Sequence, residues 1–539
     1  MSAQSAIFNP TQTTSAATGD GFSVPRLTTT GRLAIVFGTG DTGMMVYDTT
    51  LDNLFIWNGT AWTSVPDSGD STDTQVIFND NGVLVGDAGL IYQKTTKKLT
   101  VSGTVEIWDG PGSGSDNVGV GRLALASLAN GGTNTAIGFT SGNNLTIGSN
   151  NAFLGVNAGA GVSTGDNNVA VGVNPLFTSG GGVLHTGSNN VAVGSNALFS
   201  GQIVSGSDNI AIGRDTMRYI STGVNNVGIG SFALNVLTTG SYNVGIGPNA
   251  LTAASGVSGN ANIGIGLNAV NSSNAISGSN NTGIGQGTLQ KLTSAAENIA
   301  IGKDSASILT SGSQNVYVGA GTAAANLTGA TNVGIGYQAL NSATVSDLVA
   351  VGANALVLNT TGLNNTAVGR SALGANLIGN NHVAVGFNAG RSVVGGQNTC
   401  IGTAAMGLST TGDGNTAVGY SAMGAAVSTG SENVAIGNSA GASLTTGASN
   451  TLIGSGAGNS TTTGSSNICI GRDALTGGVG LNNILSIGSA VQFVATNGGA
   501  ATYYPAPSAG GVVLPATCSG FIQVNLNGTY VKIPVYPNA

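Results

Sequence analysis

The sequence predicts an all-β protein. The expected architecture is a parallel β-roll, or β-solenoid, of about 22 coils with about 17 residues each, assembled as a homotrimeric fibre with small β domains at both ends. Three observations carry this expectation. Glycine supplies 90 of 539 residues and charged residues only 6 %, against about 7 % Gly and about 25 % charged in an ordinary globular domain. Hydrophobic residues make up 41 % of the chain, mostly Ala, Val, Ile and Leu, which is too many for a Gly/Ser chain that stays disordered. And one phrase recurs: from residue 225 the chain reads NNVGIGSFALNVLTTGSYNVGIGPNAL.

From the N-terminus, residues 1–21 are polar and read as a flexible attachment segment. Residues 22–66 hold Trp57 and Trp62 within LDNLFIWNGTAWTSV, where Asn58-Gly59 marks a hairpin turn between two apolar runs. Residues 67–112 read as short strands. Residues 113–490 are the repeat shaft, and residues 491–539 form a different small β cap over the last coil.

The repeat is defined by the last glycine of each Asn-[Val/Ile/Thr]-[Ala/Gly]-[Val/Ile]-Gly-like unit. These glycines run from Gly121 to Gly488 in 22 copies, and 14 of the 21 intervals are 17 residues. An off-register copy, NNLTIG, ends at Gly148, so the phase over residues 139–160 stays open. The period is too short for helical-hairpin repeats. Val-Gly-Ile and Val-Ala-Val alternate with period 2 and are β-branched, so each is a strand. Ala-Leu follows, as at Ala197-Leu198, Ala250-Leu251 and Ala339-Leu340, and is expected to be a second short strand before a Thr/Gly/Ser turn. One coil cannot bury its apolar face alone, so each copy is the template for the next. At about 4.8 Å per coil, the stack would make a rod on the order of 100 Å long.

Three positions in each unit differ in what they are expected to do. The outer strand residues, such as Val227 and Ile229, are expected to fill the core. The residue between them would then face outward, and it is Gly or Ala in 16 of 22 units. A face held this small implies close approach of another backbone, which points to subunit packing about a three-fold axis. The expected packing face is Ala192, Ala211, Gly228, Gly245, Gly264, Gly283, Ala300, Gly334, Ala350, Ala367, Ala384, Cys400, Ala417, Ala435 and Cys469. Four residues before the glycine stands Asn in 19 of 22 units, with Leu348, His382 and Ile484 as exceptions. Asn tolerates left-handed angles in a turn. Stacked at one coil spacing, the amides of Asn190, Asn209, Asn226, Asn243, Asn262, Asn281, Asn298, Asn315 and Asn332 are expected to bond as a ladder.

Composition excludes several function classes. The net charge is −7 and no basic cluster is visible, so the chain lacks the cations that nucleic acid requires. No apolar stretch approaches the ~20 residues of a spanning helix, and the N-terminal sequence is not a secretory signal, so a soluble protein without membrane insertion is expected. Cys400, Cys469 and Cys518 are too sparse for a disulfide framework or a metal site. The repeated G-I-G-x-x-A strings imitate a dinucleotide fingerprint but lack its helix and acidic partner. His185 and His382 have no ligand-spaced neighbours, His185 being expected in a small surface loop, and the acids of the shaft read as solvated turns. No catalytic, cofactor or metal site is therefore expected, and no cofactor. Aromatics outside the regular coils, Tyr503, Tyr504 and Tyr530 among them, are the candidate receptor contacts.

The units NNVAVGSNAL, NTAVGRSALG and NVAIGNSAGA resemble the head repeat of trimeric autotransporter adhesins, a left-handed parallel β-roll. They are still more similar to repeats in bacteriophage tail fibres and some large-virus fibre proteins. The resemblance covers roughly residues 113–490. FSVPRLTTTGRLAI, TGMMVYDTTLDNLFIWNGTAW (residues 42–62) and VIFNDNGVLVGDAGLIYQKTTKKLTVSG (residues 76–103) look like N-terminal phage-fibre segments, and GFIQVNLNGTYVKIPVY (residues 520–536) like closing fibre strands. The resemblance implies a structural and adhesive virion tail fibre, not an enzyme, whose partners are its own copies, virion tail or capsid proteins at the N-terminus, and a host-surface glycan or protein. A cell-surface adhesin, a self-assembling extracellular filament and a polysaccharide-cleaving tailspike are the other readings.

Overall fold

A computed structural model describes residues 24–36, 43–51, 53–64, 74–80, 83–93, 98–101, 105–108, 116–178, 184–200, 205–409, 411–475, 478–488, 491–494, 502–505, 520–526 and 529–535. Between 74 and 108 and from 491 onward the description is of backbone pairing alone. The segment 1–21 lies outside the described residues.

The chain forms two compact units, Met1–Asn281 and Thr282–Ala539. The first begins with a four-stranded sheet in sequence order: β1 (Arg26–Leu27), β2 (Met45–Asp48), β3 (Asn53–Trp57) and β4 (Trp62–Ser64). Between β1 and β2 runs one helical turn, α1 (Thr29–Leu33), capped by the Thr28 hydroxyl, which accepts from the Gly31 N–H. The expected hairpin is present, with Trp57 opposite Trp62. Its turn is four residues long, because the Asn58 side chain accepts from the Thr60 and Ala61 N–H groups and fixes the loop itself. Strands Thr74–Asp80, Val83–Gln93, Lys98–Val101 and Val105–Trp108 follow as an antiparallel meander. The last of them pairs with Val118–Val120, the first strand of the repeat.

From there each coil contributes one short strand, paired in parallel and in register with the next. Val227, Gly228 and Ile229 face Val244, Gly245 and Ile246 in the first unit. Thr366, Ala367 and Val368 face Val383, Ala384 and Val385 in the second. The fold is therefore a β-solenoid with turns of about 17 residues, as the repeat period implies. The phase left open over residues 139–160 is settled by strands Thr135–Ile137 and Ala152–Leu154; NNLTIG lies in a turn. After the coils, Ile484–Ile487 pairs antiparallel with Val491–Val494, which pairs with Thr502–Pro505. Gly520–Leu526 and Thr529–Val535 form a separate hairpin.

Two expectations about the coil are corrected. The Ala-Leu segment is not a second strand. Its leucine takes a left-handed conformation, with φ 51° at Leu234 and 55° at Leu340. That turn aims its N–H along the stack: Leu234 N–H donates to the Ala250 carbonyl at 2.9 Å, and Leu340 N–H to Ala355 at 3.0 Å. The backbone is satisfied by stacked turns instead of a sheet.

The second correction concerns which way the strand faces. Its middle residue points into the roll and its outer two point away. Ala192, Ala211, Ala300, Ala350, Ala367, Ala384, Cys400, Ala417, Ala435 and Cys469 are all 0 % exposed, and Gly228, Gly245, Gly264, Gly283 and Gly334 are buried with them. None of these residues offers a subunit-packing surface. They are small because the leucine of the opposite turn fills the space. A Cβ added at Gly245 would sit 3.0 Å from the Leu234 Cγ, and one at Gly334 would sit 3.2 Å from the Leu340 Cδ1.

The exceptions follow the same rule. Where the middle residue is large, the leucine position four residues after the pattern glycine is small, both in its own coil and in the one before. Phe153 lies between Gly142 and Gly159, Leu452 between Gly441 and Gly458, and Tyr317 between Ala306 and Ala323. A Cβ at Gly159 would meet the Phe153 ring at 2.4 Å, and one at Gly458 would meet the Leu452 Cδ2 at 2.5 Å. The core of each coil has a fixed volume that either wall can fill. Each fully buried leucine contributes about 1.5–3 kcal/mol.

Candidate functional site

The described residues show no enclosed centre. What the coil offers is a buried ladder, two exposed columns and one flat apolar face, repeated along each unit.

The ladder is made by the predicted asparagines. Asn226 donates from its backbone N–H to Asn209 Oδ1 at 3.0 Å, and from its Nδ2 to the same oxygen and to the Gly240 carbonyl, each at 3.0 Å. Asn243 repeats this on Asn226 and Gly259, and Asn190, Asn209, Asn262 and Asn281 continue the file in the first unit. Asn298, Asn315 and Asn332 do the same in the second. All are buried. The left-handed angle expected at these positions belongs instead to the preceding residue, as at Asn225 with φ 57°. The carbonyls accepting from Nδ2 come from a file of glycines. A Cβ at Gly223 would lie 2.3 Å from the Gly240 oxygen, so glycine there lets the coils close up, with Val345 and Leu481 taking the same place in two other coils. The same crowding holds at the pattern glycines: at Gly230, φ is 127° and a Cβ would lie 2.7 Å from the Gly247 carbonyl carbon.

Two outer ladders were not anticipated. Asn157 donates to Asn174, and Asn174 to Asn196, from left-handed positions two residues after the glycine. Asn189 donates to Asp208 at 3.0 Å and Gln314 to Glu297 at 3.1 Å, from left-handed positions just before the buried ladder. The mixed Asn, Asp, Gln, Glu, Ser and Thr identities hid these columns, although their fixed offset from the glycine was visible.

The outer strand residues form the apolar face. In the first unit Ile210, Ile212 and Ile229 are 36–38 % exposed; in the second Ile299, Ile335, Val368, Val385, Ile401 and Ile436 are 36–40 % exposed. These side chains belong to a continuous parallel sheet within each unit, so the exposed methyl groups form a stripe and not scattered points. Contiguous apolar surface of that kind marks an interaction face.

In the N-terminal sheet, Arg32 and Asp48 form a buried ion pair at 2.9 Å. The guanidinium also lies 3.7 Å from the Phe55 ring centroid. Asp48 Oδ1 accepts from the Thr29 hydroxyl and from the Thr50 and Leu51 N–H groups. Burial alone would push this carboxyl up, but Arg32, Thr29 and the two N–H groups outweigh it and hold it down to about 2. The pair ties α1 to β2.

The remaining candidates are structural. His382 replaces Asn in the ladder: its N–H donates to Asn365 Oδ1 at 2.9 Å and its Nδ1 accepts from the Asn398 N–H at 3.2 Å. His185 is 1 % exposed, not in a surface loop as expected. Burial pushes both imidazoles down to about 4. Burial likewise pushes the Cys400 thiol up to about 12 and that of Cys469 up to about 11, which keeps both as small apolar fillers. Both point into the roll and cannot meet symmetry copies. Tyr317 is also inward, its hydroxyl donating to Asn315 Oδ1 and accepting from the Asn326 and Asn332 amides. Among the described residues no group of three or more His, Cys, Asp or Glu is placed to hold a metal ion. Among the described residues no helix is long and apolar enough to cross a membrane. Tyr503, Tyr504 and Tyr530 lie in strands whose side chains are outside the described residues.

Compared with known proteins, residues 5–77 match a family model described as a phage tail like trimerisation region. That span includes α1 and β1–β4 with the Arg32–Asp48 pair. No curated protein matches the chain, and no solved structure does. A phage tail-like trimerisation region followed by β-solenoid coils fits a phage tail fibre with β-roll repeats.

Proposed function

We propose that this chain is the structural subunit of a virion tail fibre that attaches a phage to its host. Three copies, brought together at the N-terminal region, pack their coils through the exposed Val/Ile face. The observation that carries this reading is that face: β-branched side chains left about 40 % exposed at the same strand positions, such as Ile299 and Val383, in a chain that also carries a trimerisation region. A monomer in water would leave the stripe uncovered, whereas three parallel copies bury it about their axis. The packing face is thus the outer pair of each strand, in place of the Gly/Ala positions.

The N-terminal segment joins the tail or capsid. Attachment is multivalent, three weak contacts acting together. The role is mechanical and adhesive, without catalysis. Antibodies raised against the coils are expected to label phage tails in electron micrographs, and the purified full chain is expected to bind host cells without releasing sugar from their surface. Unlabelled tails would contradict the virion reading. Release of reducing ends would make the chain a depolymerase.

A further inference from the structure

One residue after the pattern glycine, where the chain has left the strand, each coil sets a side chain outward. In the second unit, six successive coils place Tyr337, Ala353, Arg370, Phe387, Thr403 and Tyr420 there. Tyr337 is 57 % exposed, Phe387 42 % and Tyr420 59 %. The Arg370 guanidinium lies 5.0 Å from the Phe387 ring centroid, and it has no carboxylate partner among the described residues. At about 4.8 Å per coil, the row from Tyr337 to Tyr420 extends about 24 Å. Ala353 and Thr403 leave a gap on each side of the central Arg–Phe pair.

The coil does not need these side chains. The same column holds Gln286, Lys303, Asn438 and Ser455 in other coils of this unit, so aromatic residues here contribute nothing that the fold requires. The charges around them are segregated. Between residues 337 and 420 the two cations, Arg370 and Arg391, follow their strands, and the two acids, Asp347 and Asp413, precede theirs. Arg370 thus lies with the aromatic rings where each strand ends, and both acids lie where strands begin, in a chain whose net charge is −7.

We propose that this ridge binds a linear acidic polysaccharide laid along the coil stack. Flat exposed rings present apolar faces to the C–H faces of sugar rings. A guanidinium already oriented over Phe387 presents its N–H fork to a carboxylate or phosphate on the polymer. The regular coil rise suits a polymer with its own regular repeat, and the gaps at Ala353 and Thr403 admit ring substituents. The proposal rests on the attachment reading above and names the ligand class for it.

The test uses the full chain, immobilised alginate as a linear polyuronate and dextran as the neutral control, with binding followed by biolayer interferometry. The variants are Arg370→Ala and the double variant Tyr337→Ala, Tyr420→Ala, each checked for assembly mass. The expected result is binding to alginate and not to dextran, weakened by salt, and weakened about tenfold by either variant. Absence of alginate binding, or binding by both variants as tight as that of the wild type, overturns the proposal. A change of assembly mass in the variants also overturns it, because the ridge would then be a contact between copies. Binding of the same preparations to intact bacteria separates the two levels. Cells bound equally by wild type and variants keep attachment and remove the ridge; cells left unbound by wild type remove both.

Discussion

The ladder asparagines show how much one side chain decides here. Asn243 accepts from the Asn262 N–H and donates to Gly259 and Asn226. Asn243→Ala leaves a buried N–H and a buried carbonyl without partners, each costing about 1–3 kcal/mol. The urea midpoint is expected to fall accordingly, and an unchanged midpoint would mean the ladder adds nothing. Core volume gives a second test. Phe153→Ala should cost about 3–5 kcal/mol, and Gly159→Leu in the same chain should recover a large part, because Leu occupies that left-handed position in neighbouring coils such as Leu176. If the double variant is no more stable than Phe153→Ala, the shared-volume rule is wrong. The histidines add a pH dependence. Both have folded values near 4 against an ordinary 6.5, so the unfolded chain takes up protons first. Their share of stability is intact above about pH 6.5 and is lost as pH falls toward 4, by up to about 3 kcal/mol each. His382→Asn restores the ladder residue and should reduce the acid loss measured by unfolding at pH 7 and pH 4.5. Asp48 acts in the opposite part of the scale: held near 2, it supports the N-terminal sheet above about pH 4 and stops doing so as pH falls toward 2. Asp48→Asn should lower the melting temperature of that region at pH 7 and make no difference near pH 2.

At the level of the element, period and strand were legible and orientation was not. A strand of three residues offers two opposite choices of face, and alternation fits either. Composition favoured the wrong one, since Val and Ile read as core and Gly and Ala as surface of unusual smallness. The decisive signal was in the sequence but in a relation between positions: Phe153, Tyr317 and Leu452 are each flanked by Gly or Ala where other coils carry Leu. A residue that exchanges volume with the opposite turn must point inward. The Asn ladder was legible because one residue type recurred. The outer ladders mix many residue types, and the second strand failed because Ala-Leu takes left-handed turns that propensity does not foresee. The inverted face yields its own prediction. Val385→Lys with Ile401→Lys, on exposed positions of the stripe, should leave each coil folded and weaken association of copies. Loss of folding in the isolated chain, with β content gone by circular dichroism, would place these side chains in the core after all.

For the whole molecule, an N-terminal trimerisation region precedes coils whose apolar face is left uncovered among the described residues. The first supports self-association as a trimer, and under the proposed function the second extends that contact along the coils. The most direct test is the mass in solution of the purified full chain by light scattering, compared with that of the Val385→Lys, Ile401→Lys variant. The account predicts three times 52.4 kDa for the wild type, and a lower mass or a dissociating assembly for the variant. A stable wild-type monomer of 52.4 kDa with the same folded β signal would contradict it.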